Sequence, residues 1–378
     1  MELRKSQDTG MLAVMNTPAD RVRDLIAQSG HGQGDFATEV GLDPSKMSKS
    51  LAGTRRFSSL DLARIADHAK VTVDWLMTGE ETPLSMAARA AAGSSTETAI
   101  TEAERLCELR ATAARLGWPQ PWRPVPLRSG QTRAAAQGEA LAEEALARLE
   151  SLGLDALSLD LAEVVEVAFG VDVSIVALGD GFDGLAVSTP EAKLILAALT
   201  PVAFRQRFTI AHELGHVLYG DDQGVHADPN VYAPARGDHT EVRANAFASA
   251  FLMPKSRLRA RVQPGFDNAA FGALALELKV SPSALSIRLE RLNFIDALAS
   301  ERWKSMSAAQ AARASGDATV MARATAYATE TRRPGLLSRD LFAAYVDGRT
   351  TLRPYASLLG VDTATLRADL ERSDEVER

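Results

Sequence analysis

A single cysteine, Cys107, excludes any intrachain disulfide. Aromatic residues are scarce, at 6%, whereas alanine-rich stretches are frequent, so a mainly helical protein is expected. No apolar run reaches the roughly 18 residues that a membrane-spanning helix needs. The opening MELRKSQDTG lacks the basic start, apolar centre and small-residue cleavage site of a signal peptide. These absences lead to the expectation of a cytoplasmic protein with no membrane partner. Surplus positive charge is missing too. The chain has 42 Lys+Arg against 49 Asp+Glu, a net charge of −7. Any contact with nucleic acid must therefore come from a local basic patch. What is present is 46% hydrophobic residues, ample for packed cores, in a length that suits two or three domains.

Composition shifts divide the chain. Residues 1–16 read as a disordered start, and 17–80 as short helices broken by Gly30 to Gly34, Gly41, Gly53 and Gly79. Residues 81–135 read as a helical segment followed by a linker, because the proline-dense WPQPWRPVPLRSG at 118–130 cannot continue a helix. Residues 136–296 form the next block. Within it VDVSIVAL (171–178), GLAVS (184–188) and KLILAAL (193–199) have strand-like composition, and the Gly-Asp turns between the first two fit a small sheet. Residues 297–378 read as a helical C-terminal region with no assigned role, and 300–334 as a mobile helical spacer. No repeat at solenoid spacing is present. The expected fold class is α+β and mostly helical.

The segment QGDFATEVGLDPSKMSKSL (33–51) has a specific layout. Phe36, Ala37 and Val40 form the inner face of one helix. Gly41 supplies the positive backbone angle of a tight turn. Asp43 caps a second helix with Pro44 at its first position. Met47 and Leu51 anchor that helix, leaving Ser45, Lys46, Ser48 and Lys49 outward. Arg55 and Arg56 follow in a loop. A further helix carries Leu60, Leu62 and Ile65, closed by Val73, Trp75 and Leu76. Residues 17–79 hold 8 Lys/Arg and 8 Asp/Glu, yet between Pro44 and Ser59 there are four basic residues and no acidic one. This is a local patch of the sign that phosphate contact needs.

A second constellation is FTIAHELGHVLY (208–219). His212 and His216, four apart on a helix, project from one face and can reach one metal ion. Glu213, between them, can act on a water without being a ligand. A catalytic zinc needs a third protein ligand. Glu241, in the first turn of the helix HTEVRANAFASAFLMP (239–254), is the best candidate, and Asn245 could support it from one turn on. His226, Asp221, Asp222 and His239 are alternatives on a glycine- and aspartate-rich loop. Candidate donors to a developing oxyanion are Tyr219, Tyr232 and His239.

Two resemblances follow from these residues. The G-L-x-P-S-x-M-S-x-x-L-x-G pattern with its closing V-D-W-L-M-x-G resembles the XRE, lambda-repressor-like, helix-turn-helix domain. It implies DNA reading by Ser45, Lys46, Ser48 and Lys49, phosphate contact by Arg55 and Arg56, and a homodimer as DNA-bound form. R-x-R-F-T-I-A-H-E-L-G-H followed by E-x-x-A-N-x-F-A-x-x-F-L-M-P resembles the ImmA/IrrE metallopeptidases over about residues 140–295. That resemblance implies a zincin-like domain with one zinc ion (manganese is an alternative in the cell) on His212, His216 and Glu241, and Glu213 as catalytic base. It also implies cleavage of a helix-turn-helix repressor, derepressing stress-response or mobile-element genes. The alternative is a DNA-binding transcription regulator whose zinc domain is structural or sensory. A substrate strand is expected at 193–198, although LILAAL is apolar where an exposed edge strand would be polar. The segment 276–295 is itself helix-turn-helix-like and is expected to pack within the peptidase core.

Overall fold

The computed structural model describes residues 17–69, 71, 73–79, 97–128, 130–178, 182–220, 224–228 and 239–376. The expected disordered start at 1–16 lies outside them. The chain divides into two compact units, residues 1–90 and 91–378.

Among the described residues the first unit holds only helices: α1 (Pro18–Ser29), α2 (Gln33–Glu39), α3 (Pro44–Leu51), α4 (Ser59–Ala69) and α5 (Val73–Thr78). Thr17 opens α1 through a capping box with Asp20, and Pro18 sits where its missing N–H costs nothing. Gly41, at φ 65°, turns the chain between α2 and α3. Asp43 then accepts from the Lys46 amide at 3.0 Å to cap α3. Phe36, Ala37, Val40, Met47, Leu51, Leu62, Ile65 and Leu76 form the core. Two expected core positions are corrected. Leu60 is 61% exposed and Val73 37% exposed. The helical period explains the first: Leu62, Ile65 and Ala66 already face inward, and Leu60 lies off that stripe.

The second unit begins with α6 (Glu97–Arg115), α7 (Ala134–Ser151) and α8 (Leu161–Phe169). Then come β1 (Asp172–Val176), β2 (Gly184–Ser188), β3 (Lys193–Ala198), α9 (Ala203–Tyr219), β4 (Gly224–Asp228) and α10 (His239–Leu252). The sheet order is β1-β3-β2-β4. β3 runs parallel to β1 and antiparallel to β2, and β2 is antiparallel to β4. Helices α11 (Lys255–Arg261), α12 (Asn268–Leu278), α13 (Pro282–Arg291), α14 (Ala297–Lys304), α15 (Ala308–Ser315), α16 (Thr319–Ala328), α17 (Gly335–Val346), α18 (Arg353–Leu359) and α19 (Thr363–Val376) complete it. Among the described residues no single helix is long and apolar enough to cross a membrane.

Three expectations are overturned in this unit. β3, expected to dock a substrate strand, is central, with both its edges paired. Its Leu194, Ile195, Leu196 and Ala197 are buried, which accounts for the apolar LILAAL. Residues 118–128, expected as linker, are strapped to the unit. Gln120 exchanges hydrogen bonds with the Lys193 backbone at 2.6 and 2.7 Å, and Arg123 N donates to Phe169 O at 2.8 Å. Gly170, at φ 70°, takes the close approach, since a Cβ there would stand 1.9 Å from Pro121 O. Residues 300–334, expected to be mobile, pack through Trp303, stacked on Phe271 with centroids 4.4 Å apart, and through Ala311, Ala324 and Ala328.

The C-terminal helices are bound to the sheet by backbone and charge. Ile175 on β1 and Arg332 exchange two backbone hydrogen bonds of 2.9 Å, closing the outer edge of β1. Glu166 accepts from Arg332, Val173 N and Gly335 N. Buried Arg110 on α6 bridges Asp172 on β1 and Asp340 on α17 at 2.6–2.7 Å. Burial raises the Asp172 carboxyl above its usual range despite the Arg110 guanidinium beside it.

Candidate metal centre

The centre is held by two helices and one strand. α9 carries Ile210, Ala211, Leu214 and Val217 into the core, which fixes its rotation and turns His212, Glu213 and His216 to one side. α10 lies against α9 on one flank and α7 on the other. Glycines at both contacts let the backbones approach. A Cβ on Gly215 of α9 would stand 3.0 Å from the Phe247 ring and 3.3 Å from Ala244 Cα. One on Gly138 of α7 would stand 2.2 Å from Arg243 O. That close approach brings Glu241 to the histidines.

The donor atoms converge. His212 Nε2 and His216 Nε2 are 3.1 Å apart. Glu241 Oε2 is 3.4 Å from the first and Oε1 3.2 Å from the second. Their ligand atoms all lie within 4.8 Å of one another. Bonds of about 2.0–2.1 Å at tetrahedral angles would set ligand atoms roughly 3.4 Å apart, so the set fits one transition-metal ion. His212, Glu213 and His216 are fully buried, and Glu241 is 5% exposed. Two imidazoles and a carboxylate withdrawn together from water are a poor hydrophobic core but a good cation cage.

The strand contribution is β2. A Cβ on Gly184, its first residue, would stand 3.0 Å from Glu213 Oε1, 2.4 Å from Thr209 Cγ2 and 3.1 Å from Leu196 O. The β2 backbone therefore runs directly past the Glu213 carboxyl. Asp183, just before it, is paired with Arg205 of α9 at 2.6 Å, pinning that approach.

The other expected residues divide. Asn245 is half-buried one turn beyond Glu241, and among the described residues it hydrogen-bonds none of the three ligands. Tyr219 lies under the Arg243 guanidinium, 3.6 Å from ring centroid to Cζ, a packing role. His239 is exposed at the start of α10. Tyr232, Asp221 and Asp222 lie outside the described residues, and His226 is on β4. Gly138, Gly184 and the Asp183–Arg205 pair shape the surroundings of the cluster, and residue patterns missed them. In the sequence they read only as a helical glycine and a turn.

In the first unit Ser45, Lys46, Ser48 and Lys49 are exposed together on α3, and Arg56 is exposed beyond it. Arg55 differs from expectation. Its guanidinium is held by Asp61 at 2.7 Å and Ser50 Oγ at 2.9 Å, so it braces the loop internally.

Residues 181–290 match the family model of the IrrE N-terminal-like domain. Over 121 residues the chain is 36% identical to the radiation response metalloprotease IrrE of Deinococcus radiodurans, covering 30% of this chain and 35% of that protein. The chain thus matches about a third of the length of this curated relative. Together with the clustered His212, His216 and Glu241, these similarities support a metallopeptidase-type domain resembling the IrrE N-terminal-like domain within residues 181–290.

Proposed function

We propose that the chain is a zinc-dependent endopeptidase joined to a DNA-reading head, and that it cleaves a helix-turn-helix repressor. The observation that carries the reading is a buried three-donor cluster with a fourth, non-ligating carboxylate, Glu213, in the same turn of helix. A purely structural metal site has no need of that carboxylate. His212, His216 and Glu241 would hold the ion. Bound there, zinc would supply Lewis acidity toward a scissile carbonyl and a water. Glu213 takes a proton from the attacking water and passes it to the leaving amine. Burial of the site strengthens each of these electrostatic interactions.

The head acts through the exposed Ser45, Lys46, Ser48 and Lys49 face of α3, with Arg56 beside it. Its role is to bring the peptidase to DNA on which the repressor sits, in a cytoplasmic setting. Homodimerisation would supply the second half-site contact. Incubation of the zinc-loaded protein with helix-turn-helix repressors encoded beside its gene tests the reading. Cleavage that disappears in Glu213→Gln is expected. An intact repressor with zinc and with manganese, combined with specific operator binding, would instead identify a regulator.

A further inference from the structure

The proposed peptidase has a difficulty built into its geometry. A polypeptide substrate must reach Glu213, yet His212, Glu213 and His216 have no exposed surface. Something that covers the site has to leave before a peptide bond can enter.

The sheet limits what that can be. The strand that passes Glu213 is β2, through Gly184. An extended peptide lying along the outer edge of β2 would make ladder hydrogen bonds there and be carried past the Glu213 carboxyl. β3 offers no such edge, because β1 and β2 flank it. The outer edge of β1 is closed by Arg332. The outer edge of β2 is also filled, and by the chain itself. β4 pairs antiparallel along it, with Gly184 opposite Asp228, Leu185 opposite Ala227, Ala186 opposite His226 and Val187 opposite Val225. The residue opposite Gly184, the one nearest the base, is thus the chain's own Asp228.

We propose that β4 is an internal stand-in for substrate. It occupies the peptide-binding edge of β2, and an extended, unfolded peptide segment must displace it to be cut. This rests on the peptidase reading above and gives it a substrate class. A folded helix cannot form the ladder, so the target segment must unfold or already be extended.

Displacement lowers apparent affinity by the fraction of molecules with the edge open. Two full-length variants shift that fraction. Val225→Pro with His226→Pro removes a β4 ladder donor whichever of the two N–H groups faces β2, and opens the edge. Val187→Cys with Val225→Cys places thiols on a directly opposed pair, at a separation near that of a disulfide, and locks it. Cys107 is a poor competitor for oxidation, since burial pushes its thiol up to about 12. The probe is a labelled synthetic peptide with the β4 sequence, DDQGVHADPN, followed by fluorescence anisotropy.

The opened variant is expected to bind the peptide at least about tenfold more tightly than the parent. The locked variant is expected to lose binding when oxidised and recover it on reduction, which decides the matter even if the proline variant misfolds. Equal binding by oxidised and reduced forms, or no peptide binding by either the opened or the reduced form, overturns the proposal. None of these readouts uses cleavage. An inert peptidase would sink the functional reading while leaving the strand exchange measurable.

Discussion

Each of the two compact units sets two histidines around one glutamate, and only one of these arrangements has the character of a metal centre. In the first unit His31 Nδ1 lies 3.0 Å from Glu39 and His68 Nε2 lies 3.3 Å from it, with side chains 36–52% exposed. In the second, His212 and His216 lie 3.4 and 3.2 Å from Glu241, with exposures of 0–7%. The distances barely differ. Burial does. At the surface, water satisfies every partner, and such pairs contribute about 0–1 kcal/mol. In the interior a carboxylate beside two imidazoles carries a desolvation cost of several kcal/mol per ion, which a bound cation offsets. The lesson is that residue types and spacing nominate a site, while withdrawal from water separates a cage from a solvated cluster.

The two glutamates should respond most differently to loss of charge. Glu241→Gln removes a charged donor from the buried set, and metal affinity should fall by about 100-fold or more, exceeding the loss seen on removing an outer-shell partner. Glu39→Gln should leave metal content unchanged. Metal analysis after dialysis against a chelator buffer checks both. Equal metal loss from the two variants would erase the distinction.

Much of the site was legible because helices announce themselves locally. His212, Glu213 and His216 sit within one turn and a half, and Glu241 opens a helix whose apolar residues mark its packing side. Asp43 and Pro44 signal the start of α3 through capping chemistry alone. Strand order was not legible. GLAVS and LILAAL carry similar apolar content, and nothing in either says that β3 inserts between β1 and β2. The proline-dense 118–128 looked like a linker because proline breaks helices. Its attachment depends on Gln120 meeting β3 more than seventy residues away. Arg110, Asp172 and Asp340 likewise come from three distant segments, and composition cannot pair them.

Glycine substitutions sharpen the contrast at a smaller scale. Gly138→Ala places a Cβ 2.2 Å from Arg243 O and 2.9 Å from Phe247 N, backbone atoms that cannot step aside. Overpacking of this kind costs about 1–3 kcal/mol, and it should also push Glu241 away from the histidines. Gly34 in α2 of the first unit has open space around its Cβ position. There Gly→Ala should raise stability by about 0.5–1 kcal/mol through helix propensity. Thermal melts of the two variants should therefore shift in opposite directions. A rise for Gly138→Ala would mean that α7 and α10 are less closely apposed than described.

A smaller contrast is how each unit treats an arginine-paired aspartate. In the second unit burial dominates and raises Asp172. In the first, burial also acts upward on Asp61, but hydrogen bonds from Ser58 and Arg55 outweigh it and hold the carboxyl below its usual range. The Ser58 amide donates at 2.9 Å and Arg55 pairs at 2.7 Å. A carboxyl whose folded pKa is depressed contributes stability that is fully present above its unfolded value of about 3.9. That contribution is lost as pH falls through the lower, folded value. Asp61→Asn should then cost about 1.5–3 kcal/mol at neutral pH, the usual worth of hydrogen bonds to a charged group. The gap from the parent should narrow as pH falls below about 4, where the unfolded parent takes up a proton that folded Asp61 still refuses. Denaturant melts at pH 7 and pH 3, followed by Trp75 fluorescence in the first unit, measure both ends of that window. A gap that stays constant across it would mean that Asp61 acts through shape rather than charge, and the electrostatic contrast between the units would then rest on the buried residues alone.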